Sequence, residues 1–110
     1  MPEVVVVGAV KARPGQEGET RDALGALVAP THEEAGCILF ALHQGVDDPT
    51  RFVFIERWSS REELDAHLAS PHVAAFGRRI DELLTEPPEI TVYTPLPGGE
   101  AEKGTLSGQA

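Results

Sequence analysis

Cys37-Ile38-Leu39-Phe40-Ala41-Leu42-His43-Gln44 and Arg51-Phe52-Val53-Phe54-Ile55-Glu56-Arg57-Trp58 flank the cluster Gly45-Val46-Asp47-Asp48-Pro49-Thr50. Two apolar runs on either side of a turn-forming hexapeptide read as a β-hairpin. Along the second run Phe52, Phe54, Glu56 and Trp58 share one side, and Val53, Ile55 and Arg57 the other. The pairing register stays open at this level. If Gln44 faces Phe52, then Phe40 faces Glu56 and His43 lies on the opposite side. If His43 faces Phe52, then Leu39 faces Glu56 and His43 joins the Glu56 side. A slip of one residue reverses the answer.

On the N-terminal side, Val4 to Val10 is almost continuously β-branched, which suits a strand buried on both faces. Arg13-Pro14-Gly15 is a turn. A helix is expected from Gln16 to Ala29, with Leu24, Leu27 and Val28 as its apolar stripe. Pro30 ends that helix or opens a separate turn through Glu34, and Gly36 breaks the chain before the hairpin.

On the C-terminal side, Ser59 and Ser60 each have a glutamate three residues on, a capping-box pattern for a helix from about Arg61 to Ala69. Ser70-Pro71 combines an N-cap serine with proline at the first helical position. Val73, Phe76, Ile80, Leu83 and Leu84 give that next helix its stripe. Pro87-Pro88 stops it, and Glu89 to Tyr93 reads as a fourth strand. The order β-α-β-β-α-β is that of the ferredoxin-like fold, an α+β antiparallel sheet with helices on one face. The doubly buried first strand then calls for a second sheet over the open face, which makes a dimeric α+β barrel. Residues 1–96 form the domain, and the Gly-rich, aperiodic residues 97–110 are expected to be a flexible tail.

The totals agree with one domain. The chain has 110 residues, 41% of them apolar, and 18 acidic against nine basic side chains give a formal charge of −9. The scattered Lys and Arg form no basic face, which argues against nucleic acid and anionic membrane as partners. No apolar run approaches the roughly 20 residues of a membrane helix. Glu3 precedes the first apolar run, so that run reads as a strand and not as a signal peptide. A single cysteine, Cys37, excludes an intrachain disulfide and suits a reducing cytoplasm.

Candidate chemistry gathers between Cys37 and Phe76. Glu56 is a carboxylate in an aromatic row; burial without a partner raises its pKa. It is either a structural partner of an arginine or backbone amide, or a base or histidine-orienting group. His43 ends the second strand, His67 borders the apolar face of its helix, and His72 lies in the first turn of the next one. His32 sits in the turn after Pro30. His67 and His72 are five residues apart across a helix break, which is not the i, i+4 pair of a helical zinc site, so no metal is expected. Cys37 reads as a packing residue. No phosphate-binding Gly-rich loop or G-x-S-x-G elbow is present.

The phrases Lys11-Ala12-Arg13-Pro14-Gly15, Glu34-Ala35-Gly36-Cys37, Leu42-His43-Gln44, Asp48-Pro49, Phe54-Ile55-Glu56-Arg57-Trp58 and His67-Leu68-Ala69-Ser70-Pro71-His72 occur in this order. Together they resemble the antibiotic biosynthesis monooxygenase domain, quinol monooxygenase-like members included. The resemblance spans residues 3 to 94. It implies a homodimeric α+β barrel with a pocket between sheet and helices in each subunit. It also implies oxygenation of a phenol, quinol or polyketide-like aromatic by dioxygen, without metal or flavin. A base deprotonates the electron-rich substrate, and the resulting anion reduces oxygen itself. Carried onto this chain, His43, Glu56, His67 and His72 are the candidate catalytic residues, and Phe54, Trp58 and Phe76 the candidate pocket walls. Polyketide-oxidising members pair an asparagine with a tryptophan, and this chain has no asparagine. Its histidine-rich set is closer to the quinol-oxidising and isomerase-like branch. Proton transfer without oxygen and a non-catalytic dimeric binding protein are the alternatives.

Overall fold

The computed structural model describes residues 2–106. Its elements are β1 (Val4–Lys11), α1 (Glu17–Gly25), α2 (Val28–His32), β2 (Cys37–Gln44), β3 (Arg51–Trp58), α3 (Arg61–Leu68), α4 (Pro71–Gly77), α5 (Ile80–Leu83) and β4 (Glu89–Tyr93). The four strands form one antiparallel sheet in the order β2-β3-β1-β4. This is the ferredoxin-like arrangement expected from the element order.

Local chemistry accounts for most boundaries. Arg13-Pro14-Gly15-Gln16 closes with a 2.8 Å bond from the Gln16 N–H to the Arg13 carbonyl, and Gly15 takes φ +89°. Proline second and a positive-φ glycine third are the marks of a type II turn. Ser60 Oγ accepts from the Glu63 N–H at 3.2 Å, and Ser70 Oγ accepts from the Val73 N–H at 3.4 Å, so of the candidate capping serines Ser60, rather than Ser59, caps α3 and Ser70 caps α4. The helical sections are shorter than expected. The first stops at Gly25 and resumes as α2 with Pro30 inside it. Pro30 is the third residue of α2, in a first turn whose N–H groups have no intrahelical acceptor to lose. The last section divides after Gly77 into α4 and α5.

The hairpin pairs Gln44 with Phe52, His43 with Val53, Leu42 with Phe54 and Phe40 with Glu56. One sheet face therefore carries Phe40, Phe52, Phe54, Glu56 and Trp58, joined by Val6 and Gly8 of β1. The helices cover this face. Trp58, Val6, Leu24, Leu64 and Leu83 are its most deeply buried residues. The opposite face carries Val5, Val7, Ala9, Val53 and Ile55, which remain half-buried. Burial of β1 on both faces is thus not reached within one chain, because its helices all lie on one side.

Residues 97–106 of the expected flexible tail turn back over this second face. Gly104 N–H bonds the Glu100 carbonyl at 2.7 Å, and the Leu106 carbonyl accepts from Arg57 Nη1 at 3.1 Å. Residues 107–110 lie outside the described part.

Candidate active site

The helix-covered face ends in a cavity of about 90 Å³ between sheet and helices. Gly8, Phe40, Phe54, Glu56 and Ile90 line it from the sheet; Leu24, Leu27, His67, Leu68, Val73 and Phe76 line it from the helices. The walls are apolar, and Glu56 and His67 are the only titratable side chains among them. A larger cavity of about 390 Å³ lies on the other sheet face, under residues 94–97 and 104–106. Its charged groups, Glu3 and Arg57, form a two-pronged ion pair, with Arg57 Nη2 donating to Glu3 Oε1 at 3.0 Å. That pair holds the Glu3 carboxyl below the usual range, so it is a poor base at neutral pH. The smaller cavity is therefore the better candidate for chemistry.

His67 is 4% exposed and held from three sides. Its ring lies tilted against Trp58 at a centroid distance of 4.6 Å and edge-on to Phe40 at 5.3 Å. Its Nδ1 is 2.8 Å from Glu34 Oε2. A carboxylate only accepts, so this contact places the proton on Nδ1 and leaves the Nε2 lone pair available. The His67 ring is also part of the cavity wall. His67 is thus the boundary between the cavity and Glu34. Beyond Glu34 lies His72, whose Nε2 is also 2.8 Å from Glu34 Oε2 and 3.3 Å from Ser70 Oγ.

Glu34 reaches this position because the chain before β2 runs tightly against α3. A Cβ on Gly36 would meet Glu63 Cβ at 2.3 Å, which only glycine avoids. The Ser59 N–H bonds the Gly36 carbonyl at 2.9 Å and ties the same crossing to the end of β3. Glu34 was not a sequence candidate. It lies 33 residues from His67, in a turn without periodicity, within the Glu34-Ala35-Gly36-Cys37 phrase.

Glu56 does not bond a histidine. Its Oε1 accepts from the Trp58 indole N–H at 2.8 Å. Burial pushes its carboxyl up to about 7; the Trp58 hydrogen bond opposes the rise and the nearby Glu34 charge adds to it. The orienting partner that sequence reasoning sought in Glu56 is therefore Glu34. Trp58 is fully buried and backs His67 and Glu56 instead of walling the cavity. Phe54 and Phe76 do line it. His43 pairs with Val53, so the register places it exposed on the opposite face, apart from Glu56. His32 Nε2 donates to the Phe40 carbonyl, 3.0 Å away, a contact that ties α2 to β2. The five-residue spacing of His67 and His72 proves misleading in three dimensions. The break between α3 and α4 turns His72 back, and both rings meet on Glu34. Cys37 is half-buried, and burial with the Glu34 and Glu56 charges pushes its thiol up to about 11.

The raised Glu56 pKa carries a stability consequence. The folded carboxyl ionises near 7 against an ordinary 4.5, so the fold favours the protonated form. Its contribution is complete below about pH 4.5 and is lost as pH rises through 7. At 1.36 kcal/mol per unit this amounts to about 3 kcal/mol. Glu56→Gln keeps the Trp58 acceptor and removes the titration. Urea unfolding at pH 5 and pH 8 should show the wild type losing about 2–3 kcal/mol more than the variant over that interval, which covers most of the titration. Equal losses would show that Glu56 is not buried as described.

Residues 3–79 match the family model for antibiotic biosynthesis monooxygenase. Over 93 residues the chain is 37% identical to a Mycobacterium tuberculosis protein bearing the name "Putative monooxygenase Rv0793", covering 84% of this chain and 91% of that one. It is 30% identical over 87 residues to "Probable quinol monooxygenase YgiN" of Escherichia coli, covering 70% and 84%. Among solved structures, PA3566 from Pseudomonas aeruginosa superposes with a TM-score of 0.82 at 31% identity, covering 87% of this chain and 96% of that one. The Rv0793 structure gives 0.81 at 35% identity, covering 87% and 97%.

Proposed function

The chain belongs to the antibiotic biosynthesis monooxygenase family, and from that premise we propose that it oxygenates a small, single-ring quinol or phenol with dioxygen. His67 is the base in this reading, held in its accepting tautomer by Glu34. The observation that carries it is the position of His67, whose Nδ1 rests on a carboxylate and whose ring lines an apolar cavity. Loss of the phenolic proton leaves an electron-rich anion that supplies the electrons for oxygen reduction. One oxygen atom replaces hydrogen at a ring carbon and the other leaves as water with two hydrogens of the substrate, so the product is at the quinone level and the substrate itself supplies all four electrons in place of a redox cofactor. The apolar walls keep bulk water from the reactive intermediate. A cavity of about 90 Å³ is far below the roughly 300–1,000 Å³ of drug-sized sites. That size favours one ring over a fused polyketide. The name carried by YgiN supports the quinol class.

A homodimer completes the reading. On the sheet face away from the helices, beside the part that residues 97–106 cover, the half-buried Val7, Val53 and Ile55 provide apolar surface for a second copy. Among the described residues no helix is long and apolar enough to cross a membrane, and a cytoplasmic setting suits the lone thiol.

Oxygen uptake with a panel of hydroquinones and monophenols tests the proposal. The expected result is uptake of one dioxygen per oxygenated product and no product under nitrogen. Product formed equally under nitrogen would replace oxygenation by isomerisation at the same base.

A further inference from the structure

We propose that Glu34, His67 and His72 together bind a divalent first-row transition ion on the side of His67 away from the cavity. Their donor atoms, one carboxylate oxygen and two imidazole nitrogens, all lie within 4.8 Å of one another. Glu34 Oε2 is 2.8 Å from each nitrogen. Neighbouring ligands around an ion at 2.0–2.2 Å stand about 3 Å apart, so both oxygen–nitrogen distances already suit a shared ion. The two nitrogens need to approach by about an ångström to reach the same sphere. His67 is fixed between Trp58 and Phe40 and supplies the rigid ligand. His72 and Glu34 are each about one-fifth exposed, which leaves them room to adjust and gives the ion a route from solvent. Neither lines the cavity. Imidazole with a single carboxylate selects zinc, nickel, copper or iron over the oxygen-seeking calcium and magnesium.

Binding changes tautomers and no covalent bond. Each ring now directs a nitrogen at Glu34, and each must present a lone pair there to hold an ion. For neutral His67 the proton then resides on Nε2. An acceptor becomes a donor, and the ion silences the base. This consequence rests on the proposed role of His67; the binding itself does not.

Chelator-treated protein titrated with zinc chloride by calorimetry, and with cobalt chloride by visible absorption, tests the site. One ion per chain is expected, with a Co(II) d–d band. His72→Ala and Glu34→Gln should each weaken binding by at least about 100-fold, the upper end of what outer-shell changes cost. Circular dichroism checks that the His72→Ala variant, changed at a side chain one-fifth exposed, is folded. No saturable binding, or equal binding by wild type and both variants, overturns the site. Zinc should also suppress oxygen uptake; tight zinc binding with undiminished uptake would leave the metal site standing and remove His67 as the base.

Discussion

His67→Ala is expected to lower kcat/KM for a quinol substrate by about 10²- to 10⁴-fold, the usual worth of a positioned base. The loss should fall mainly on kcat, because the rest of the apolar cavity still holds the ring. Glu34→Gln should fall between the wild type and His67→Ala. It keeps an oxygen that can accept from Nδ1–H, but it replaces a charge-assisted bond by a neutral one, roughly half as strong. Glu56→Gln separates the two titratable groups of the cavity. With His67 as base, Glu56→Gln retains most activity and His67→Ala loses it. The reverse pattern assigns the base to Glu56, whose pKa of about 7 would suit the task.

The second large effect is structural. Trp58→Ala should destabilise the protein by about 3–5 kcal/mol, as truncation of a buried aromatic side chain does. Trp58 is fully buried at the end of β3, paired with Val4 on one side and Cys37 on the other. Its removal also deprives Glu56 of its hydrogen-bond donor and His67 of its backing ring. Against a typical total of about 5–15 kcal/mol, that loss alone brings a small domain close to unfolding. Trp58→Phe separates the causes. It keeps most of the ring volume and removes the N–H, so it should cost about 1–3 kcal/mol and push the Glu56 carboxyl further up. Urea denaturation measures the first effect, and a pH series of the same measurement the second. A Trp58→Ala variant within 1 kcal/mol of wild type would show that the indole is not a core residue.

The strands were legible because each is a short β-branched or aromatic run between turn residues. The bounds of β2, β3 and β4 agree with those expected from the sequence. The helices were less so. An apolar stripe continues through Gly77 to Leu84, yet the backbone breaks at Arg78–Arg79, since periodicity reports which face is buried and not whether the helix is continuous. The hairpin register was beyond reach for a different reason. Both pairings bury an aromatic row, and only the closed loop from Gly45 to Thr50 decides between them. Gly45 N–H bonds the Arg51 carbonyl at 2.8 Å and sets Gln44 against Phe52. That single step moved His43 away from Glu56. Glu34 was hidden because its partners come from α3 and α4, elements distant in sequence that only the tertiary fold brings to it.

The Cys37 thiol, raised to about 11, bears on how long such a catalyst lasts. Oxygen reduced at a phenolate is a source of peroxide and superoxide when a turnover fails. Thiolates are the form that such species convert to sulfenic and then sulfinic acid. At pH 7 only about one Cys37 in 10⁴ is ionised. Burial, with the Glu34 and Glu56 charges adding to it, thus keeps the chain's lone sulfur chemically quiet beside the proposed proton-transfer site.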